Sequence, residues 1–341
     1  MCENFANKIK PLVSICCLAY NHEKYIDKTL KGFIEQETTF EYEVLIHDDA
    51  SSDNTVKIIK EYQRKYPNII KPIFQVENQT SKGINVQKTY NYPRIKGRYV
   101  AYCEGDDYWC DKNKLQLQVE ALEINKDCSI STHITQCISK DGKLLNSFFP
   151  PQDISKNILT LEDYLKSELI DRNWTFHLSS FMVRKEIIDY MCNNQIEFFN
   201  AFKRVGDFPL IVFSLTKGNL IYINKEMSHY RCFSGGFMTN WQQDKNSKIN
   251  IAENFINGYL ELDKYTNYKY HEIFEYGIRY CEFSKLIAQE NFKELTNLRY
   301  NNIYNDLPRI KKIAINIGKY SKLSYRVLLK LKNKLELIKR N

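Results

Sequence analysis

The 341 residues are 43% hydrophobic and 26% charged, a balance that excludes a mainly disordered chain and leaves length for a large core or two domains. Tyr and Phe are plentiful while Gly and Pro are scarce, which argues against flexible linkers, and ten scattered cysteines include no Cys-x-x-Cys pair for a zinc ribbon or a redox dithiol. The net charge of +8 belongs to a tail: Pro308 to Asn341 holds eleven Lys or Arg against one Glu, so residues 1–307 are slightly acidic and nucleic acid is not an expected partner.

In chain order, Val13 to Leu18 reads as a buried strand, too short for a membrane span and without a signal cleavage site, so a cytoplasmic location is expected. Tyr25 to Gln36 reads as a helix buried on Ile26, Leu30, Phe33 and Ile34. Tyr42 to His47 is a second strand, followed by a helix through Tyr66 that Ser52 or Asp53 caps. Ile69 to Phe74 is a third strand, which Pro72 confines to an edge or an end. Arg98 to Cys103 is a fourth, and Asp111 caps a helix with Leu115, Val119 and Leu122 inward. Ser129 to Ser139, polar and β-branched, with Asp141-Gly142 after it, suits a hairpin or an edge strand. Thr160 and Asp163 suggest a capping box. Phe176 to Val183 reads as a strand, Arg184 to Met191 and Asp207 to Thr216 as helices, and Leu220 to Asn224 as a strand. Beyond about Gly236 the pattern is helical. Alternating strands and helices imply an α/β fold with a mostly parallel sheet.

Two acidic clusters follow strands, at the ends where open α/β sheets place ligands. Glu104-Gly105-Asp106-Asp107 combines carboxylates able to hold a divalent ion with a glycine that permits close backbone approach; its plain alternative is an acidic turn. Asp48-Asp49 places one acid on each face of its strand, where one accepts from a nucleoside or both cap the next helix. Tyr20-Asn21 ends the first strand, with a ring for a base and an amide for the turn, or simply for packing.

Pro11 to Asn21, Tyr42 to Thr55 and Gly97 to Trp109 together resemble, in order and spacing, the nucleotide-binding half of family 2 glycosyltransferases, over about residues 10–235. The resemblance implies a GT-A-type, Rossmann-like mixed sheet, mostly parallel with flanking helices, and sugar transfer with inversion from a nucleotide-diphosphate donor, UDP-linked by expectation, with Mn²⁺ or Mg²⁺ as cofactor. It assigns Ala19, Tyr20, Asn21, Asp48, Asp49, Gly83, Glu104, Gly105 and Asp106 to the nucleotide, and Glu104, Asp106 and Asp107 to the metal. Glu104 stands where the family's acidic element begins with Asp. Gly206 to Leu210 is similar to the segment supplying the general base, which makes Asp207 the catalytic candidate, its ionised form favoured by a helix start. Ser228 to Gly236 looks like the mobile loop over the diphosphate, with Arg231 on phosphate, Phe233 where relatives carry His, and His229 as a surface residue. Phe176 to Arg184 resembles the segment below the acceptor, so His177, Ser179 and Ser180 are candidates for acceptor hydroxyls, with His177 and Ser179 on one strand face and Ser180 on the other; Trp109 either stacks on a sugar or packs in the core.

The expected organisation is a catalytic domain over 1–236, its nucleotide half about 10–125 and its acceptor half about 126–236, then a helical region over 237–341. Within the latter, Tyr320, Leu323, Val327, Leu331, Leu335 and Ile338 recur at helical spacing among basic residues over 308–341, a pattern for an anionic membrane face or for packing on the domain. The expected acceptor is a saccharide or lipid-linked saccharide, in surface polysaccharide or glycan assembly at the inner membrane face. A nucleotidyltransferase and a membrane- or RNA-docked binding module are the competing classes; the first turn, Leu18 to His22, lacks the Gly-rich basic sequence of the former, and the acids count against the latter.

Overall fold

The computed structural model describes residues 10–151, 154–173, 175–202, 205–232 and 245–327. The chain divides into a sheet-bearing unit, residues up to 196 and from 205 to 232, and a helical unit, 197–202 and 245–327. The expected α/β class is what the first unit adopts.

Its strands are β1 (Val13–Ala19), β2 (Tyr42–Asp48), β3 (Ile70–Phe74), β4 (Tyr99–Tyr102), β5 (Tyr108–Trp109), β6 (Cys128–Ile138), β7 (Leu144–Phe149), β8 (Ile158–Leu159), β9 (Met182–Arg184) and β10 (Asn219–Arg231). They form one sheet in the order β3-β2-β1-β4-β9-β6-β10-β5, with β7 beside β6 and β8 beside β10. The four strands β3, β2, β1 and β4 run parallel, and β9 enters antiparallel on both sides. Helices α1 (Ile26–Ile34) and α2 (Thr55–Lys65) and the longer return over residues 75–98 make this possible, because parallel neighbours need a long connection, and α3 (Lys114–Ile124) follows β5. Ile26, Leu30 and Phe33 of α1 and Leu115, Val119 and Leu122 of α3 join Val13, Ile15, Val44 and Ile46 in one core. Pro72 lies on the edge strand β3, where a missing N–H costs no interior ladder bond.

Three expectations change. Ser129 to Ser139 is not at an edge: β6 lies between β9 and β10, and its hairpin partner β7 covers only the far half. A polar strand tolerates the interior because its hydroxyls are matched: Ser129 donates to Ser214 O at 2.6 Å and Thr135 bonds Ser228 at 2.8 Å. Phe176 to Val183 is not a strand throughout; Leu178–Ser180 is a 3₁₀ turn, and β9 begins only at Met182. Finally, β10 does not stop near Asn224 but continues to Arg231 through bulges at Ile223, Glu226 and Ser228, so Ser228 to Arg231 is buried strand rather than mobile loop. Phe233 to Gly236 lie outside the described residues.

Asp163 and Thr160 form the expected capping box at 2.9 and 3.2 Å at the start of α4 (Leu161–Leu165). Next come α5 (Lys185–Asn193), then α6 (Glu197–Ala201) of the helical unit, then α7 (Asp207–Leu215), buried over nearly its whole length. In the helical unit, α8 (Lys245–Tyr265) and α9 (His271–Ala288) pack together, with Phe202 filling the space left by Gly258. Phe283, Phe292, Leu295, Ile303, Ile315 and Tyr325 form its second cluster. Helix α10 (Asn301–Asp306) precedes α11 (Arg309–Tyr320); the basic segment is therefore not one continuous helix, since Ser321 is extended before a further helical stretch over 322–327. Leu331, Leu335 and Ile338 lie outside the described residues. No described helix is long and apolar enough to cross a membrane.

Candidate active site

The carboxyl ends of β2, β1 and β4 lie side by side, and backbone bonds lock the acidic segments onto them. The Asp49 amide donates to Ala19 O at 2.9 Å, Cys103 to Cys16 O at 3.3 Å, and Gly105 to Leu18 O at 2.8 Å. Thr29 of α1 donates to the carbonyls of Gly105 and Asp107 at 3.0 and 2.6 Å, pinning the acidic turn from below. Gly105 is required here: a Cβ would stand 2.7 Å from His22 Nδ1 and 3.0 Å from Leu18 O. Its missing side chain makes room for His22 and the Leu18 carbonyl.

At the end of β2 the acids are already matched. Asp48, fully buried, accepts from the amide and hydroxyl of Ser51 at 3.1 and 2.6 Å. Asp49 accepts from the amides of Gln79 and Thr80 at 2.7 and 3.0 Å; burial raises its proton affinity, but bonds from Thr80 and Gln79 outweigh it and hold the carboxyl below the ordinary range. Asp49 thereby fixes the turn ending at Gly83, whose φ of +78° is left-handed. Asn21 ties its own turn to the same wall, receiving the Ser52 amide at 2.8 Å and donating its amide to Ser51 Oγ at 2.9 Å. Tyr20 is 48% exposed beside it, with its ring accessible.

The acids after β4 are not matched in this way. Burial, then Asp106 and Asp207, push the Glu104 carboxyl up to about 8. Burial and Asp106 push Asp107 well above the carboxylate range. Asp207, at the start of α7, is also raised by burial, although the Phe208 amide donates to it at 2.9 Å; here desolvation outweighs the helix-start effect expected from the sequence. The charges of Asp106 and Asp207 both act on Glu104, so the two sequence-distant acidic segments face a common region. A divalent cation fits this donor set: hard oxygen ligands whose mutual repulsion a cation relieves. Glu104 and Asp106 are the ones that would hold it.

Asp107 is turned elsewhere. Its Oδ1 accepts the Arg231 amide at 2.9 Å, while Arg231 Nε donates to Asp106 O at 3.0 Å and Nη1 to the carbonyls of Ser139 and Lys140. Arg231, buried and stacked over Tyr25 at 4.3 Å, is a brace of the acidic turn rather than a free arm. On the other side, His177 Nε2 lies 3.8 Å from Asp107 Oδ2. The Ser179 amide donates to His177 Nδ1 at 3.2 Å, which makes that nitrogen an acceptor and places the proton on Nε2; burial takes the imidazole down to about 3, so it is neutral. Ser179 Oγ reaches the same Nδ1 at 2.8 Å, Ser228 Oγ reaches Ser179 Oγ at 2.9 Å, and Thr135 Oγ1 reaches Ser228 Oγ at 2.8 Å.

Of the acceptor candidates, burial takes Ser179, Ser180 and Trp109 out of reach, while His177 is half-buried. Ser179 and Ser180 are fully buried, the latter donating to His177 O at 2.7 Å, and the 3₁₀ turn removes the expected alternation of faces. Trp109, 3% exposed, packs edge-on to Phe33 at 4.8 Å, lies under Lys114 Nζ, and donates to Ser179 O at 3.1 Å, so no sugar reaches its face. His229 is buried, not a surface residue. Two residues went unassigned in the sequence. His22, just beyond Tyr20 and Asn21, has a buried Nδ1 without a partner among the described residues; burial lowers its proton affinity against the pull of Asp106, Asp53 and Asp48, so it sits between the two acidic clusters. Glu168 is pushed up to about 7 by burial, with Asp207 adding to it.

Comparisons agree with this architecture. TuaG of Bacillus subtilis (strain 168), a candidate teichuronic acid biosynthesis glycosyltransferase, is 32% identical over 161 residues, 47% of this chain and 60% of that one. The chain spans about half the length of the curated relatives it matches. In fold it is similar to S. aureus TarS 1-349 in complex with UDP-GlcNAc (TM-score 0.51, 14% identity, 88% of this chain and 77% of that one). It is also similar to the mannosyltransferase PcManGT from Pyrobaculum calidifontis in complex with GDP-Man and Mn²⁺ (TM-score 0.53, 12% identity, 96% and 88%). Residues 14–190 match Glycosyl transferase family 2, and with over half its length in that match the chain belongs to this family.

Proposed function

We propose that the chain is an inverting glycosyltransferase that moves a sugar from a nucleotide diphosphate, UDP-linked as the leading choice, to a hydroxyl of a saccharide or lipid-linked saccharide in surface polysaccharide assembly. The observation that carries the reading is the placement of the two acidic segments at the carboxyl ends of neighbouring parallel strands, locked there by the Asp49, Cys103 and Gly105 amides, with the charge of Asp207 felt at Glu104. The sheet-bearing unit holds all of these acids and is the catalytic part.

Tyr20 lies against the base, and Asn21 and Asp49 shape the wall beneath it through Ser52, Gln79 and Thr80. Glu104 and Asp106 would hold a divalent ion, Mn²⁺ or Mg²⁺, which would supply positive charge against the departing diphosphate. Asp107 holds Arg231, and through it the geometry of the acidic turn. Asp207, its basicity strengthened by burial, takes the acceptor hydroxyl's proton as that oxygen attacks the sugar from the face opposite the diphosphate. The TuaG name supports polysaccharide assembly, and the bound ligands of the two structural neighbours support nucleotide-sugar donors and a divalent ion.

The test is release of nucleotide from UDP-, GDP- and dTDP-sugars, with and without Mn²⁺ or Mg²⁺, beside thermal shifts on the same panel. Metal-dependent release from one donor class, abolished in Asp207→Asn with nucleotide binding retained, is expected; no donor turnover with intact nucleotide binding would overturn the enzyme reading. Exposed Ile310, Ile313, Tyr320, Leu323 and Val327 among basic residues support contact with anionic membrane. Liposome sedimentation of the chain cut before Pro308 tests it: loss of binding is expected, and unchanged binding removes the idea.

A further inference from the structure

On the far strand pair of the sheet, β5 and β10 run antiparallel with Trp109 opposite Ser228 and Tyr108 opposite His229. The Cys110 amide continues the ladder to Met227 O at 3.1 Å. The bulges of β10 around Glu226 break the alternation of side chains, and this lets Glu226 and His229, three residues apart, meet at 2.8 Å between Oε1 and Nε2. Cys110 completes the group: its Sγ, a carboxylate oxygen of Glu226 and a ring nitrogen of His229 all lie within 4.8 Å of one another.

His229 adds an independent mark. The residue is 9% exposed, yet Nδ1 has no hydrogen-bond partner among the described residues, a state that buried imidazoles avoid. The ring stands edge-on to Tyr108 at 4.9 Å, which fixes its orientation. Cys110 is exposed, so the group opens to solvent on one side.

We infer that Cys110, Glu226 and His229 form a binding site for a borderline-soft divalent cation of the zinc class, with water as the remaining ligand. Thiolate, imidazole and carboxylate together suit Zn²⁺, whereas Mg²⁺ and Mn²⁺ prefer the all-oxygen set of Glu104 and Asp106. The site is separate in chemistry from the catalytic one. Its place in the fold gives it a purpose: Cys110 follows Asp107 by three residues and His229 precedes Arg231 by two, and the Arg231 amide holds Asp107. An ion joining the three side chains clips together the two strands whose ends meet at the acidic turn. Thiols bind metal as thiolates, so binding releases a proton and tightens as pH rises.

Titrating Co²⁺ into the metal-stripped full chain tests the inference, because a cobalt thiolate gives a near-ultraviolet charge-transfer band that oxygen ligands do not. The band is expected to saturate at equimolar metal, to be displaced by Zn²⁺ but not by Mg²⁺, and to persist in Asp106→Asn. Cys110→Ser, a change at an exposed position, is expected to abolish it, and Glu226→Gln to weaken binding by ~10–100-fold. Absence of the band in the full chain, or its survival in Cys110→Ser, would overturn the assignment.

Discussion

At the end of β2, carboxylates are met by protein; at the end of β4, two strands along the same sheet, they are met by other carboxylates. Asp48 and Asp49 accept from Ser51, Gln79 and Thr80, and these bonds shape a wall. Asp106 and Asp207 press on Glu104, whose proton affinity burial and that repulsion hold well above the ordinary range, and burial raises that of Asp207. Similar residues at equivalent strand ends thus serve opposite purposes. A satisfied acid builds structure, while an unsatisfied one stores demand for a cation or a proton.

Substitutions should separate the two. Asp207→Asn and Asp106→Asn are expected to lower kcat by ~10²–10⁴-fold while leaving the urea midpoint of the metal-free chain unchanged or higher, since each removes repulsion. Asp49→Ala strips the acceptor from two amides and should cost about 3 kcal/mol of stability by urea unfolding. If Asp106→Asn destabilises as much as Asp49→Ala does, the contrast is wrong.

Acidity gives a further separation with opposite signs. Between an ordinary value of 4.5 and its folded value of about 8, Glu104 keeps a proton that the unfolded chain has released, so metal-free stability falls as pH rises across that window. Asp49 is depressed below 3.8, so its contribution is complete above that value and disappears as pH falls through the lower folded one. Urea midpoints with and without Mn²⁺ should show the first slope flattened by metal and the second untouched. The smallest effect belongs to Tyr20→Ala, expected to raise the donor KM by ~2–10-fold with no change in the unfolding midpoint, because the ring is half exposed.

The parallel strands and both acidic strand ends were legible because apolar runs ending in carboxylates leave few alternatives. What the sequence hides is which lone pairs are already taken. Ser179, Ser180 and Trp109 have the chemistry of sugar contacts, yet burial spends their polar atoms on neighbours. The same blindness made β6 look like an edge, since Ser129 and Thr135 find buried partners from elements distant in the chain. His22 had one readable signal, its position directly after the Tyr20-Asn21 turn, but only the close fit against Gly105 shows that it lies among the acids.

The hydroxyls of Thr135, Ser228 and Ser179 each have a single proton to give, and His177 accepts on one side only, so the line reads in one direction and ends with an N–H aimed at Asp107. Its dipoles are rectified. Ser228→Ala, cut in the middle of the line, should therefore leave Asp107 harder to ionise.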